Sequence, residues 1–173
     1  IGGPFDESAP CQPVGPYAQS KWLAEQSVRL AARDRGLPAT ILRMATIYGI
    51  APVIRFDAIV NRFAYLAGMG RFLTIHGNGE QMRPLIHISD ASAAILYCLA
   101  HRDLFLGKTL NVVGENLSVR QVAEAVRIFR NDIAMRYTDQ GVLTHFSLNV
   151  EGAGLAALGW QPHITVEQGL GEM

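Results

Sequence analysis

The 173-residue sequence has little of what usually announces a partner. It carries two cysteines, Cys11 and Cys98, far apart and outside any metal-ligand spacing. That excludes a disulfide framework, speaks against a metal site and fits a reducing, cytoplasmic compartment. Neither sign of charge dominates: Lys+Arg 15 stand against Asp+Glu 15, for a formal net charge of +0. Nothing in that balance points to nucleic acid or to an anionic membrane. No apolar run is long enough to span a bilayer, and there is no repeat, no low-complexity linker and no visible signal peptide. The sequence opens on Ile1 rather than Met, so an upstream segment is expected. What is present is globular: 49% hydrophobic and 17% charged residues, on a chain long enough for one domain with a real core.

Residues 1–14, with Pro4, Pro10 and Pro13, read as a long loop of the kind that borders functional sites. Pro16 suits a first helical turn, and the run from Tyr17 to about Arg33 has no Gly or Pro, so a helix is predicted there. Leu23, Ala24, Ser27, Leu30 and Ala31 form its expected inward stripe, and Gly36-Leu37-Pro38 ends it. Ala39–Met44 reads as a strand buried on both faces and closed by Tyr48-Gly49. A helix follows over Phe56–Leu66, then a strand over Phe72–His76. Gly77-Asn78-Gly79 reads as a hairpin turn. Leu85–Ile88 leads to a helix over Ala91–Ala100, capped by Ser89 or Asp90, and Thr109–Val113 is a further strand. Ser118 caps a helix to Phe129 with Val119, Val122, Ala123 and Val126 inward. After Asn131 the signals weaken to a short helix near Gly154–Leu158 and a turn from Val166. Helices alternating with buried strands indicate an α/β fold.

Chemistry concentrates at Tyr17 and Lys21. Four apart on a helix, they share a face with Cβ atoms roughly 6 Å apart. A unit positive charge about 4 Å from a phenol, at an effective dielectric of about 20, favours the phenolate by about 4 kcal/mol. Against a reference pKa near ~10, that is enough to bring a tyrosine into acid–base work near neutral pH. Such a pair is also an ordinary surface pair, so the decision lies with the rest of the chain. His76 and His87 sit in strand-like runs and read as core or rim histidines, and Asp90 as a helix cap rather than a catalytic acid.

Five motifs recur in a fixed order: Tyr17-x-x-x-Lys21 with Glu25; Leu42-Arg43-x-x-x-x-Tyr48-Gly49; Gly77-x-Gly79-x-x-x-Arg83 running into His87-Ile88-Ser89-Asp90; Asn111-Val112-Val113-Gly114; and Leu158-Gly159-Trp160-Gln161-Pro162. In this order they resemble the extended short-chain dehydrogenase/reductase family, in its NAD-dependent epimerase/dehydratase branch, over nearly the whole chain. The resemblance implies the C-terminal part of a Rossmann-like, doubly wound parallel sheet plus a smaller α/β substrate-binding lobe. Residues 1–50 would end the dinucleotide-binding domain. Residues 51–173 would form mainly the lobe, with some segments returning to the sheet.

It also implies an enzyme using NAD or NADP, with Tyr17 as acid/base and Lys21 beside the nicotinamide ribose. Met44, Ala45 and Thr46 would line the cofactor, and Thr46, Thr74, His76 and Arg83 the substrate. The partner would be a small molecule such as a nucleotide sugar, with a homodimer for the full-length protein. The glycine-rich phosphate turn and the catalytic Ser or Thr of the family match no position here. The chain by itself is therefore expected to bind no cofactor, to be inactive and to expose a sheet edge. Thr46 stands where many nucleotide-sugar members carry Asn. His145, Phe146, Ser147 and Leu148 lie where a second arginine is often found. These departures keep a reductase or dehydrogenase of a small carbonyl or alcohol beside the epimerase/dehydratase reading, with a non-enzymatic dinucleotide-binding regulator as a third.

Overall fold

The computed structural model describes residues 3–139 and 147–173. In chain order it contains α1 (Gly15–Arg35), β1 (Ile41–Met44), β2 (Thr46–Tyr48), α2 (Ile59–Gly68), β3 (Leu73–His76), β4 (Met82–His87) and α3 (Ile88–Ala100). There follow α4 (Arg102–Phe105), β5 (Thr109–Val112), β6 (Glu115–Ser118), α5 (Val119–Phe129), β7 (Met135–Thr138), α6 (Ala153–Ala156) and α7 (Val166–Gly171). The strands pair as β1 with β5, as β2-β4-β6, and as β3 with β7. Every pair is parallel except β4 with β6.

β4 separates two cores. Side chains alternate across a strand. Leu85 accordingly packs with Tyr48, Phe63, Leu73 and Val122 on one side, and Ile86 with Ala94, Phe105, Val112 and Trp160 on the other. The predicted α5 appears with its cap: Ser118 Oγ accepts the Gln121 N–H at 3.1 Å, and the Gln121 side chain accepts the Ser118 N–H at 2.8 Å. The end of α1 is also as expected. Gly36 takes φ 65°, donating to the Ala32 carbonyl, while Leu37 donates to that of Ala31.

Elsewhere tertiary contacts override the local reading. No residue of α1 is buried: Leu23 and Leu30 are exposed, and the half-buried side carries Glu25, Val28, Ala31 and Ala32. An ion pair sets that rotation. Arg43 on β1 donates to both Glu25 oxygens, at 3.0 and 2.8 Å, and Arg29 donates to Glu25 Oε1. β1 is half-buried rather than buried on both faces, because Arg43 turns toward α1 while Leu42 and Met44 turn to a core. Nor does β1 run on to Tyr48. After the Ala45 N–H reaches the Val112 carbonyl at 2.9 Å, the chain changes sheets and β2 begins.

Gly77-Asn78-Gly79 is not a hairpin turn, because β3 and β4 lie in different sheets. Gly77 donates to Thr138 on β7, and the Gly79 carbonyl receives Arg120 at the start of α5. α2 begins at Ile59, since Asn61 ties the preceding loop by donating to the Arg55 carbonyl and accepting from Gly49. α3 begins at Ile88 with His87 as its cap, the ring nitrogen Nδ1 accepting the Ser89 N–H at 3.4 Å. Asp90 caps nothing on its own helix; its carboxylate accepts the N–H groups of His163 and Ile164 and holds the last segment in place.

The Glu25 anchor has a pH signature. Hydrogen bonds from Arg43, then Arg29, hold the Glu25 carboxyl below the usual carboxylate range. A carboxyl lowered by folding stabilises the fold fully above its unfolded pKa, about 4.3, and less as pH falls through the folded value. Glu25→Gln is expected to lose about 1.5–3 kcal/mol at neutral pH, the scale of hydrogen bonds to a charged group. The gap to wild type should close in acid, where wild-type Glu25 is protonated too. Urea unfolding at neutral and acid pH measures both.

Candidate active site

Tyr17 occupies the first turn of α1 with 74% of its surface exposed. Lys21, one turn on, places its Nζ 5.6 Å from the centre of the Tyr17 ring. The two predicted catalytic side chains therefore meet on an open helix face, with Tyr17 within electrostatic reach of Arg55.

The loop before α1 forms one wall of a groove of about 540 Å³, lined among others by Phe5, Cys11, Gln12, Met44, Ala45 and Leu148. Long-range bonds fix this loop. Glu7 Oε1 accepts the Asn111 N–H at 2.9 Å, Arg43 donates to the Glu7 carbonyl at 3.2 Å, and Phe5 exchanges backbone bonds with Asn149 and Glu151. Met44 and Ala45 thus face the groove. Thr46 is exposed at the start of β2 and is not part of the groove wall, because the chain has already changed sheets. Leu148 joins the groove and Ser147 Oγ accepts the Met82 N–H at 3.0 Å, so neither supplies a cation; His145 and Phe146 lie outside the described residues.

A second, smaller pocket of about 190 Å³ opens between α2, β3 and β4. It brings together the predicted Thr74, His76 and Arg83, with Arg62 and Gln81 beside them. Arg83 is half-buried, donates to the Met82 carbonyl at 2.9 Å, and has its pKa lowered by burial. His76 Nδ1 lies 3.0 Å from Thr138 Oγ1, which orients the ring, and Gln81 donates to the His76 backbone carbonyl at 3.0 Å. Arg62 was not legible as a site residue. It stands in a helix outside every motif, and only the packing of α2 against β3 reveals its place.

Behind these sites, His87 and Tyr48 are core residues, their rings edge to face at 5.2 Å. Burial, with Glu115, Asp90 and Glu172 nearby, pushes the Tyr48 phenol far above its ordinary range, so it stays neutral. No cluster of three or more His, Cys, Asp or Glu side chains suited to a metal occurs among the described residues. No helix among them is long and apolar enough to cross a membrane.

Residues 2–113 match the family model described as the NAD dependent epimerase/dehydratase family. The chain belongs to that family. The mouse dTDP-D-glucose 4,6-dehydratase is 30% identical over 176 residues, covering 96% of this chain and 48% of that protein. CDP-paratose 2-epimerase of Salmonella typhi is 26% identical over 184 residues, covering 98% of this chain and 53% of that protein. Among solved structures, UDP-glucuronic acid 4-epimerase from Bacillus cereus, in complex with UDP-glucuronic acid and NAD, aligns with a TM-score of 0.85 at 21% identity. That alignment covers 99% of this chain and 55% of the other. The chain thus spans about half the length of the curated relatives it matches. The structural likeness bears out the expected Rossmann-like α/β fold with parallel strands, and the family match bears out the resemblance read from the five motifs.

Proposed function

We propose that this chain is part of an NAD-dependent epimerase or dehydratase acting on a nucleotide sugar. The observation that carries the substrate class is the shared pocket lined by Thr74, His76 and Arg83, residues that bear a hydroxyl, an imidazole and a guanidinium and come from two strands. Arginine beside neutral donors is the chemistry that takes up a phosphate group.

The family implies a nicotinamide dinucleotide, and the residues present fit its nicotinamide end. The groove is roomy, with flat apolar wall at Phe5, Met44 and Ala45, and the helix leaving its loop carries an exposed phenol with an ammonium over the ring. Met44 and Ala45 would line the nicotinamide, and Lys21 would meet the ribose hydroxyls. When bound, the cofactor supplies a reversible hydride acceptor. Tyr17 does the proton work: its Oη gives a proton to, or takes one from, the reacting oxygen of the substrate. Its exposed position at the head of α1 leaves that oxygen free to approach. Arg83 holds the far end of the substrate, so that binding energy away from the reacting carbon orients it.

The test is to mix the full-length protein with a panel of nucleotide sugars and follow the absorbance of reduced nicotinamide. Reduced cofactor that stays bound, with no net turnover of added NAD, is the expected result. Stoichiometric release of reduced or oxidised cofactor would instead assign a reductase of a small carbonyl or alcohol. Tight cofactor binding with no spectral change for any substrate would assign a regulator.

A further inference from the structure

α2 turns one polar side chain toward a core. Asn61 is 3% exposed and stands among Val60 and Phe63, both buried. An amide at such a position costs free energy unless its polar atoms are bonded, and asparagine is a modest helix former besides. The side-chain bonds of Asn61 go neither to its own helix nor to the core beside it. Its Oδ1 accepts the Gly49 N–H at 2.9 Å, and its Nδ2 donates to the Arg55 carbonyl at 3.1 Å. The two bonds also fix which way the amide points, since the flipped group would set donor against donor and oxygen against oxygen.

The segment held in this way runs from the end of β2 to the start of α2. None of residues 50–57 is buried, and Ile50, Val53 and Phe56 are exposed apolar side chains. Such a loop has little packing of its own to fix its path, so the amide that bridges Gly49 and Arg55 decides it. Gly49 gives the bridge a firm base, being buried and packed against His87 and Ile88 with no room for a side chain. At the other end Phe56 leans on Tyr65 of α2, the rings 4.9 Å apart.

The path of this loop matters because of what it borders. Arg55 is within electrostatic reach of Tyr17 at the head of α1, and Asp57, two residues on, lines the pocket with Thr74 and Arg83. One short segment therefore touches both parts of the candidate site. We propose that Asn61 is a positioning residue for the reaction at Tyr17: its buried amide holds residues 49–58 as the wall that keeps the reacting end of the substrate over the phenol. This rests on reading Tyr17 as the acid/base. Asn61 itself meets no reacting atom and acts through the loop. A misplacement of about 1 Å in such a wall is enough to cost on the order of 100-fold in rate.

The test compares wild type with Asn61→Leu, Asn61→Asp and Tyr17→Phe in the full-length protein, by steady-state kinetics on a panel of nucleotide sugars. Rates are taken per cofactor-loaded site, so that unfolded material does not count, and urea unfolding gives the stability of each variant. Leucine fills nearly the same space and makes neither bond. Aspartate keeps the acceptor for Gly49 and loses the donor to Arg55. Asn61→Leu is expected to lower kcat by about 10- to 100-fold. KM and NAD affinity should stay within about threefold of wild type, a split that lost binding or lost fold does not give. Asn61→Asp should fall between the two, and it decides by the same comparison if Asn61→Leu does not fold. With Tyr17→Phe inactive, a wild-type kcat in the folded Asn61 variants would overturn the proposal, whether or not KM or the urea midpoint moves, and would leave Tyr17 in its role. Turnover near wild type in Tyr17→Phe, or no turnover of any nucleotide sugar by wild type, would overturn the reading of Tyr17 and the proposal with it.

Discussion

Tyr17→Phe is expected to lower turnover of the full-length enzyme by two or more orders of magnitude, the scale of lost acid–base catalysis. The change removes one oxygen and keeps the ring. Tyr17 is largely exposed and its side chain supports no part of either core, so the variant should fold as wild type does. Cofactor affinity should barely move, because the ammonium of Lys21 remains. Lys21→Met is expected to reduce turnover and cofactor affinity together, since Lys21 is assigned both the phenol and the ribose. Steady-state kinetics with cofactor titration separates the two patterns. Turnover near wild type in Tyr17→Phe would remove Tyr17 from the chemistry.

Gly49→Ala is expected to have the largest effect on stability. Gly49 follows β2 with φ 120°, a conformation that L side chains rarely adopt. A Cβ there would stand 2.8 Å from Nε2 of the buried His87 and 2.9 Å from a methyl of Ile88. Backbone strain of this sort amounts to about 1–3 kcal/mol, and overpacking adds about 1–3 kcal/mol. The sum, about 2–6 kcal/mol, approaches the whole net stability of many domains. Gly36→Ala is the control. Its φ of 65° is also left-handed, but a Cβ there meets nothing within 4 Å, so about 1–2 kcal/mol is expected. Equal urea midpoints for the two variants would refute the close approach of Gly49 to His87.

The features legible from sequence are those whose causes lie within a few residues. The Ser118–Gln121 cap, the Gly36 terminator and the apolar stripe of α5 are local chemistry, and each stands where it was read. The order of the five motifs was equally legible and led to Tyr17 with Lys21, and to Thr74, His76 and Arg83. What escaped is set by distant partners. Leu23 and Leu30 form as good an apolar stripe as any, yet the Arg43–Glu25 pair turns α1 another way. Ser89 and Asp90 are both good caps on paper, but the Asp90 carboxylate serves the backbone of His163 and Ile164. β6 and β7 are short and only partly apolar, and exist because β4 and β3 offer them an edge. Arg62 became a candidate only once α2 was seen against β3.

The strand pairings bear on how the chain reaches this state. Adjacent strands in sequence never pair with each other here, and no two partners in the named ladders are closer along the chain than Leu85 and Glu115. The described sheets therefore contain no hairpin that could form early and act as a seed. Each ladder must close a long loop before it gains a single bond, an arrangement associated with slow, cooperative folding. α1 and α5 can flicker into shape from local sequence, but the sheets arrive late. In that interval Leu85, Ile86 and the other residues of β4 wait uncovered, which makes the newly made chain more vulnerable to self-association than the finished fold.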